Sequence, residues 1–346
     1  MSKLNQMVAR VKGAVRRRRS GGASPAPPDA VLAEGAEERG SSSQERVSDF
    51  WGKAAAADFR PRHIATNWMG HVEVQRHINT ICTGSPDRTY IDYFLETYMA
   101  PRRVGDVVNL GCGEGALEKW LIDCDFADSY VGYDISKKCI AHANATVGKS
   151  YPRARFICAD LNQTPLERRA YDVAFFSHSL HHFENLERIC DEVRASLRDD
   201  GFLLVHEFIG PSRMQWTDKQ LSLCNRLFEQ LAPEQQLDIS QSPRRVKRPA
   251  ASRATVAQWL KGDPSECVRS AEMMGVLEQH FEILERRDYG GTILQKLFEN
   301  IMGNFSNESA DHRAMVRLLI AFESMLIEEG VVSSDFTFVI ARPRPR

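Results

Sequence analysis

The chain has 346 residues, 42% of them hydrophobic, with 45 Lys and Arg against 46 Asp and Glu, a formal net charge of -1. That length suffices for one large domain or a domain with a sizeable insertion, and the balanced charge excludes any general attraction to nucleic acid or to an anionic surface. The eight cysteines include no CxxC pair and no zinc-type spacing, so they read as reduced, mostly buried thiols of a cytoplasmic protein, and no run reaches the roughly 18 apolar residues of a membrane span.

Residues 1–48 read as a disordered basic tail. The first acidic residue is Asp29, and before it come Lys3, Arg10, Lys12 and four arginines at 16–19, then a Gly, Ser and Pro stretch that cannot build a core. Leu4, Met7, Val8, Val11 and Val15 share one helical face, which would suit peripheral contact with an anionic membrane; a solvated tail or a mitochondrial transit peptide are the other readings. Residues 49–104 are expected to be an N-terminal helical segment, with order starting at Phe50 and Trp51 and with Pro101 and Gly105 punctuating entry to the first strand.

Over 105–210, apolar runs at 107–110, 130–133, 156–159, 173–176 and 202–205 alternate with helix-like stretches. Parallel strands covered by helices on both faces give this rhythm, so the fold class is α/β, doubly wound and Rossmann-like, with a mostly parallel seven-stranded sheet. Residues 211–280 break the rhythm and are too long for an ordinary connection, so they are expected to be a helical insertion that binds substrate or acts as a lid. Residues 281–346 complete the sheet with strands at 281–287 and 336–341 and helices between.

The run Val107-Val108-Asn109-Leu110-Gly111-Cys112-Gly113-Glu114-Gly115-Ala116 is a buried strand entering a glycine-rich turn and then a helix, where backbone can approach a ligand and unpaired N–H groups are on offer. Its letters also fit the dinucleotide fingerprint, and Asp134, 23 residues after Gly111, suits a ribose in either cofactor. A second acid, Asp160, ends the third strand beside the adenine edge, where the dinucleotide pattern requires nothing.

With Tyr133-Asp134-Ile135-Ser136, Ala159-Asp160-Leu161, Tyr171-Asp172-Val173 and Arg198-Asp199-Asp200-Gly201, the sequence resembles the successive motifs of class I S-adenosylmethionine-dependent methyltransferases over residues 105–208. The resemblance implies S-adenosyl-L-methionine as cofactor, its methionine portion wrapped by Gly111, Gly113 and Gly115, its ribose held by Asp134 and its adenine met by Asp160. Asn109, Cys112, Ile135, Leu161, Ser177 and His178 would line the same site. Asn109 stands where the family often carries an acid. Stretches at 67–68, 77–79, 210–217, 263–270 and 289–292 resemble a bacterial group often associated with polysaccharide assembly, which implies a glycan or glycoconjugate acceptor.

Methyl transfer is an in-line displacement, so the protein must hold the acceptor atom near the methyl carbon and, for a hydroxyl, take its proton. The run Ser177-His178-Ser179-Leu180-His181-His182-Phe183 follows strand four at the carboxyl edge of the sheet, where such folds bind ligands. His181 or His182 is the expected base, with Glu207 after strand five as the second choice; helix capping, or an ion pair from Glu207 to Arg213, are the structural alternatives. Arg213, Gln215 and Trp216 are expected to grip a sugar-like acceptor, and the basic run at 244–248 to clamp a phosphate or simply be solvated. HSLHH lacks the HExxH pattern, so no metal is assigned, and the absence of interleaved aromatics in the basic run argues against nucleic acid. Nitrogen or carbon methylation, a nicotinamide oxidoreductase and a silent cofactor-binding module remain the competing functions.

Overall fold

The computed structural model describes residues 44, 46–48, 50, 51, 66–240, 243, 244 and 246–345, within a compact unit spanning 41–346. The tail at 1–40 and the membrane-helix reading placed on it lie outside the described residues.

The strands are β1 (Val104–Leu110), β2 (Ala127–Asp134), β3 (Ala154–Cys158), β4 (Tyr171–Ser177), β5 (Leu197–Phe208), a two-residue hairpin β6 (Leu237–Asp238) and β7 (Val246–Lys247), then β8 (Phe281–Gly290) and β9 (Phe336–Pro343). Seven of them form one sheet in the order β3-β2-β1-β4-β5-β9-β8. β1 to β5 pair parallel, and β9 enters antiparallel between β5 and β8. This is the mostly parallel seven-stranded sheet expected from the alternating apolar runs. The one residue of those runs outside a strand is Ala159, which follows β3.

The helices are α1 (Val72–Thr83), α2 (Tyr90–Phe94), α3 (Ala116–Asp123), α4 (Lys137–Ala143), α5 (Leu186–Ser196), α6 (Asp218–Phe228), α7 (Val256–Lys261), α8 (Met273–His280), α9 (Leu294–Phe298) and α10 (Ala310–Glu328). α5 shows why such segments fold as helices and dock: the Asn185 side chain caps its start by accepting from Arg188 N, and Leu186, Ile189, Cys190 and Val193 fall at helical spacing and are all buried. They join Val108, Leu110, Phe176, Leu203, Val205 and Val339 of the sheet in the main core. None of the described helices is long and apolar enough to cross a membrane.

Two boundaries differ from the sequence reading. Met273, Val276 and Leu277 of α8 belong to that same core and α8 packs on α5, so α8 is the crossover into β8 and the insertion ends before it. At the other end, Gln44, Arg46, Val47, Ser48, Phe50 and Trp51 are helical, so the expected tail boundary at residue 48 falls among helical residues. Ser48 O accepts from Ser136 Oγ at 3.4 Å, and Trp51 packs edge-on against His182.

Candidate active site

β1 delivers its last residue, Leu110, to a turn in which the backbone N–H groups of Gly111 and Cys112 both donate to Tyr133 O. Gly113 lies at φ +53, and a Cβ there would meet nothing within 4 Å, so the turn presents bare backbone to open space. Gly115, at φ +78, is different: it is the N-cap of α3, and its Cβ would stand 2.8 Å from Phe156 Cζ. It permits packing and lies outside the cavity wall. Cys112 is buried below the turn.

Gly111 and Gly113 open onto a cavity of about 410 Å³ at the carboxyl ends of β1 to β4, within the range of roughly 300 to 1,000 Å³ that small ligands occupy. Asp134, Ile135, Asp160 and Leu161 form its far wall. Asp134 accepts from Gly113 N at 2.9 Å and from Ser136 N at 2.8 Å, and burial raises its pKa against those two donors. Each carboxylate oxygen keeps a further acceptor direction. Asp160 accepts from Asn162 N at 3.0 Å and from Gln44 Nε2 at 2.5 Å. Gln44, Val47 and Trp51 thus roof the cavity, a role the sequence reading did not give them. The open Cβ position of Gly113 and two acids spaced along one wall fit an adenosyl cofactor with a short charged amino-acid tail.

Asn109 does not reach the cavity wall. Its Nδ2 donates to Glu118 Oε1 at 3.0 Å, and both side chains are fully buried. Burial carries the Glu118 pKa up to about 7. Glu118 of α3 is thus the acid paired with Asn109 behind the turn, and neither side chain lines the cavity. Nothing in the spacing of Glu118 marks it beforehand.

Beyond β4 the chain turns through His178, at φ +54, which lines the cavity and whose ring lies 4.5 Å from that of His206. Ser177 remains in the strand, outside the cavity wall. Glu207 is fully buried: it accepts from Ser179 N at 2.8 Å, Leu180 N at 2.9 Å and His181 Nδ1. Burial opposes a charge on His181, but the adjoining Glu207 carboxylate outweighs it and raises the pKa to about 9. His182 does line the cavity, and burial together with the neighbouring His181 lowers its pKa. Its Nδ1 is 3.0 Å from Ser265 Oγ, and Val268 N donates to His181 O at 3.1 Å. The segment 263–268 is thus the part of the insertion that meets the site.

The residues expected to grip the acceptor are instead tied into the fold. Arg213 Nη1 donates to Pro264 O at 2.5 Å and to Glu266 O at 3.3 Å, and these carbonyl contacts replace the ion pair considered with Glu207. Gln215 Nε2 donates to Arg213 O and Ala254 O. Trp216 is buried and donates from Nε1 to Asp335 Oδ2 at 3.1 Å. None of the three lines the cavity, because all are spent anchoring the start of the insertion. Arg248 of the basic run is likewise internal, stacked over Phe228 at 4.3 Å.

Residues 108–205 match the family described as "Methyltransferase domain". The chain carries a methyltransferase domain. Its cofactor is S-adenosyl-L-methionine, which resolves the choice left open with a nicotinamide. A probable S-adenosylmethionine-dependent methyltransferase of Mycobacterium tuberculosis is 30% identical over 137 residues, 36% of this chain and 48% of that protein. A hybrid PKS-NRPS synthetase of Aspergillus flavus is 31% identical over 110 residues, covering 30% of this chain and 3% of the synthetase, and a sterol 4-C-methyltransferase of Caenorhabditis elegans is 28% identical over 106 residues, 30% of each. The chain therefore spans less than half the length of these relatives. Among solved structures, the [4+2]-cyclase SpnF aligns over 88% of this chain and 98% of its own, at 16% identity and a TM-score of 0.49.

Proposed function

We propose that the protein transfers a methyl group from S-adenosylmethionine to a hydroxyl of a small molecule, glycan or glycoconjugate. The observation that carries this reading is the continuity of one cavity from the Gly111 and Gly113 turn, past Asp134 and Asp160, to His182. The cofactor supplies, when bound, a methyl group on a sulfonium that is open to in-line displacement. Gly111 and Gly113 hold its methionine end, Asp134 the ribose hydroxyls and Asp160 the adenine edge, with Ile135, Leu161 and His178 beside them. The roof formed by Val47 and Trp51 keeps water from the sulfonium. Of the three residues considered for proton removal, His182 faces the cavity and takes the acceptor proton. His181 and Glu207 orient it from behind: their rings and carboxylate are linked in one buried row.

The glycan reading rests on stretches that resemble the polysaccharide-assembly group, and several of them meet in space. Trp68 stacks on Tyr289 with ring centres 6.4 Å apart, Ser270 Oγ donates to Gly210 O at 2.9 Å, and Arg213 N donates to Cys267 O. Their resemblance therefore follows linked parts of the fold rather than scattered surface. The tail would add a peripheral hold on anionic membrane from the cytoplasmic side.

Calorimetric titration with S-adenosylmethionine and with NAD tests the cofactor half, and a preference for NAD would end the proposal. Mass spectrometry of the metabolites and glycans of a deletion strain tests the acceptor half: loss of an O-methyl group from a glycan is the expected result, and loss of an N-methyl or C-methyl group instead would redirect it.

A further inference from the structure

The corner around His182 gathers three buried or nearly buried carboxylates. Glu207 is fully buried, Asp263 is 2% exposed and Glu266 is mostly buried beside them. Facing these three carboxylates are His181, His182 and the Arg213 guanidinium, whose own hydrogen bonds go to the Pro264 and Glu266 carbonyls.

The donor atoms converge. One ring nitrogen of His181, one of His182 and a carboxylate oxygen of Glu266 lie within 4.8 Å of one another, with His181 Nε2 at 3.6 Å from Glu266 Oε1. An independent observation points the same way. Asp263 Oδ1 accepts from Ser265 N and Ser265 Oγ, while its Oδ2, buried and 3.9 Å from His182 Nδ1, has no hydrogen-bond partner among the described residues. A buried carboxylate oxygen with no hydrogen bond, next to the two histidines, leaves an acid available to a bound cation. The support is already built: the other nitrogen of His181 is bound to the Glu207 carboxylate, the arrangement that fixes the tautomer of a ligating histidine, and Ser265 Oγ meets His182 Nδ1. The sequence hid this set because Glu266 comes 85 and 84 residues after the two histidines, from the far end of the insertion.

We propose that His181, His182 and Glu266 form a divalent-cation site, with Asp263 close by as an additional acid. Two imidazoles and a carboxylate suit Zn²⁺ and its neighbours in the first transition row rather than Mg²⁺ or Ca²⁺. The proposal deepens the methyltransferase reading and rests on it for its purpose: His182 belongs to the cavity wall, and with the ion bound it would be a ligand rather than the proton acceptor, the ion itself favouring loss of the acceptor proton to solvent.

The test uses untagged full chain stripped with chelator. Titration calorimetry with Zn²⁺, and separately with Co²⁺ followed by its visible absorption, should give one equivalent bound at micromolar affinity or tighter, with a d–d spectrum of low coordination number. His182→Asn and Glu266→Gln, checked for folding by circular dichroism, should each weaken binding at least tenfold, and Asp263→Asn by less. No stoichiometric binding by the wild type would overturn the site, as would unchanged affinity in both folded variants. The cobalt spectrum on wild type alone decides the matter if either variant misfolds. S-adenosylmethionine titrated into the same samples separates the two readings: failure of the wild type to bind it sinks the methyltransferase reading, whereas cofactor binding without metal binding sinks only the cation site.

Discussion

Single side chains around the glycine turn divide into those that line the cavity and those that hold the turn, and substitutions should tell them apart. Asp134→Ala removes an acceptor from the cavity wall and should weaken S-adenosylmethionine binding by roughly 10- to 100-fold, as loss of a charged hydrogen bond does, with the fold intact by circular dichroism. Gly113→Arg should abolish binding by filling open space. Gly115→Ala should instead cost about 1 to 3 kcal/mol of folding stability in urea titrations, since its Cβ would press on Phe156. His182→Asn should lower the methylation rate by roughly 10² to 10⁴ while leaving cofactor affinity nearly unchanged; equal rates in mutant and wild type would remove it from the chemistry. The lining of the cavity was half legible. Gly111, Gly113, Asp134 and Asp160 were readable because they sit at fixed offsets from strand ends, where backbone geometry alone dictates position. Glu118, Asp263 and Glu266 were not, because what makes them matter is a partner brought close by tertiary packing. Arg213, Gln215 and Trp216 misled for the converse reason: polar and aromatic residues at the mouth of an insertion serve equally to anchor it.

Among the elements, the strands were legible from apolar runs, and the insertion was legible as a break in that rhythm but not at its end. Covered strands leave a continuous hydrophobic record, whereas the stretch from 211 to the start of α8 is held by scattered polar ties such as Asn225 to Ala251 and Gln220 to Thr292, which have no periodicity. α8 was assigned to the insertion because the irregular stretch before it masked its docking on α5. The N-terminal helical residues give the sharpest test at this scale. Deleting residues 1–40 should leave cofactor affinity and melting temperature unchanged and reduce only binding to anionic vesicles. Deleting 1–51 should remove the Gln44, Val47 and Trp51 contacts and weaken S-adenosylmethionine binding about tenfold, close to 1.4 kcal/mol, by calorimetry. Equal affinity in both truncations would show that the roof contributes nothing.

The molecule as a whole carries two buried acids that burial lifts to about 7, Glu118 behind the glycine turn and Asp335 under Trp216. Each retains a proton in the fold at a pH where the unfolded chain has released it, so stability is greatest at low pH for these groups and declines as pH rises toward their folded values. Glu118→Gln removes this contribution, so the melting temperature of the cofactor-free wild type relative to that variant should fall between pH 5 and 7 in scanning calorimetry; a difference that rises with pH would contradict the Glu118 assignment. The helix that lies across the cavity has a kinetic consequence. Val47 and Trp51 line the cavity beside the place proposed for the cofactor, so their contacts are expected to slow exit of the demethylated product as well as to strengthen binding. Trp51→Ala, by loosening the edge-on contact with His182, should then speed product dissociation in stopped-flow measurements even as it weakens equilibrium binding.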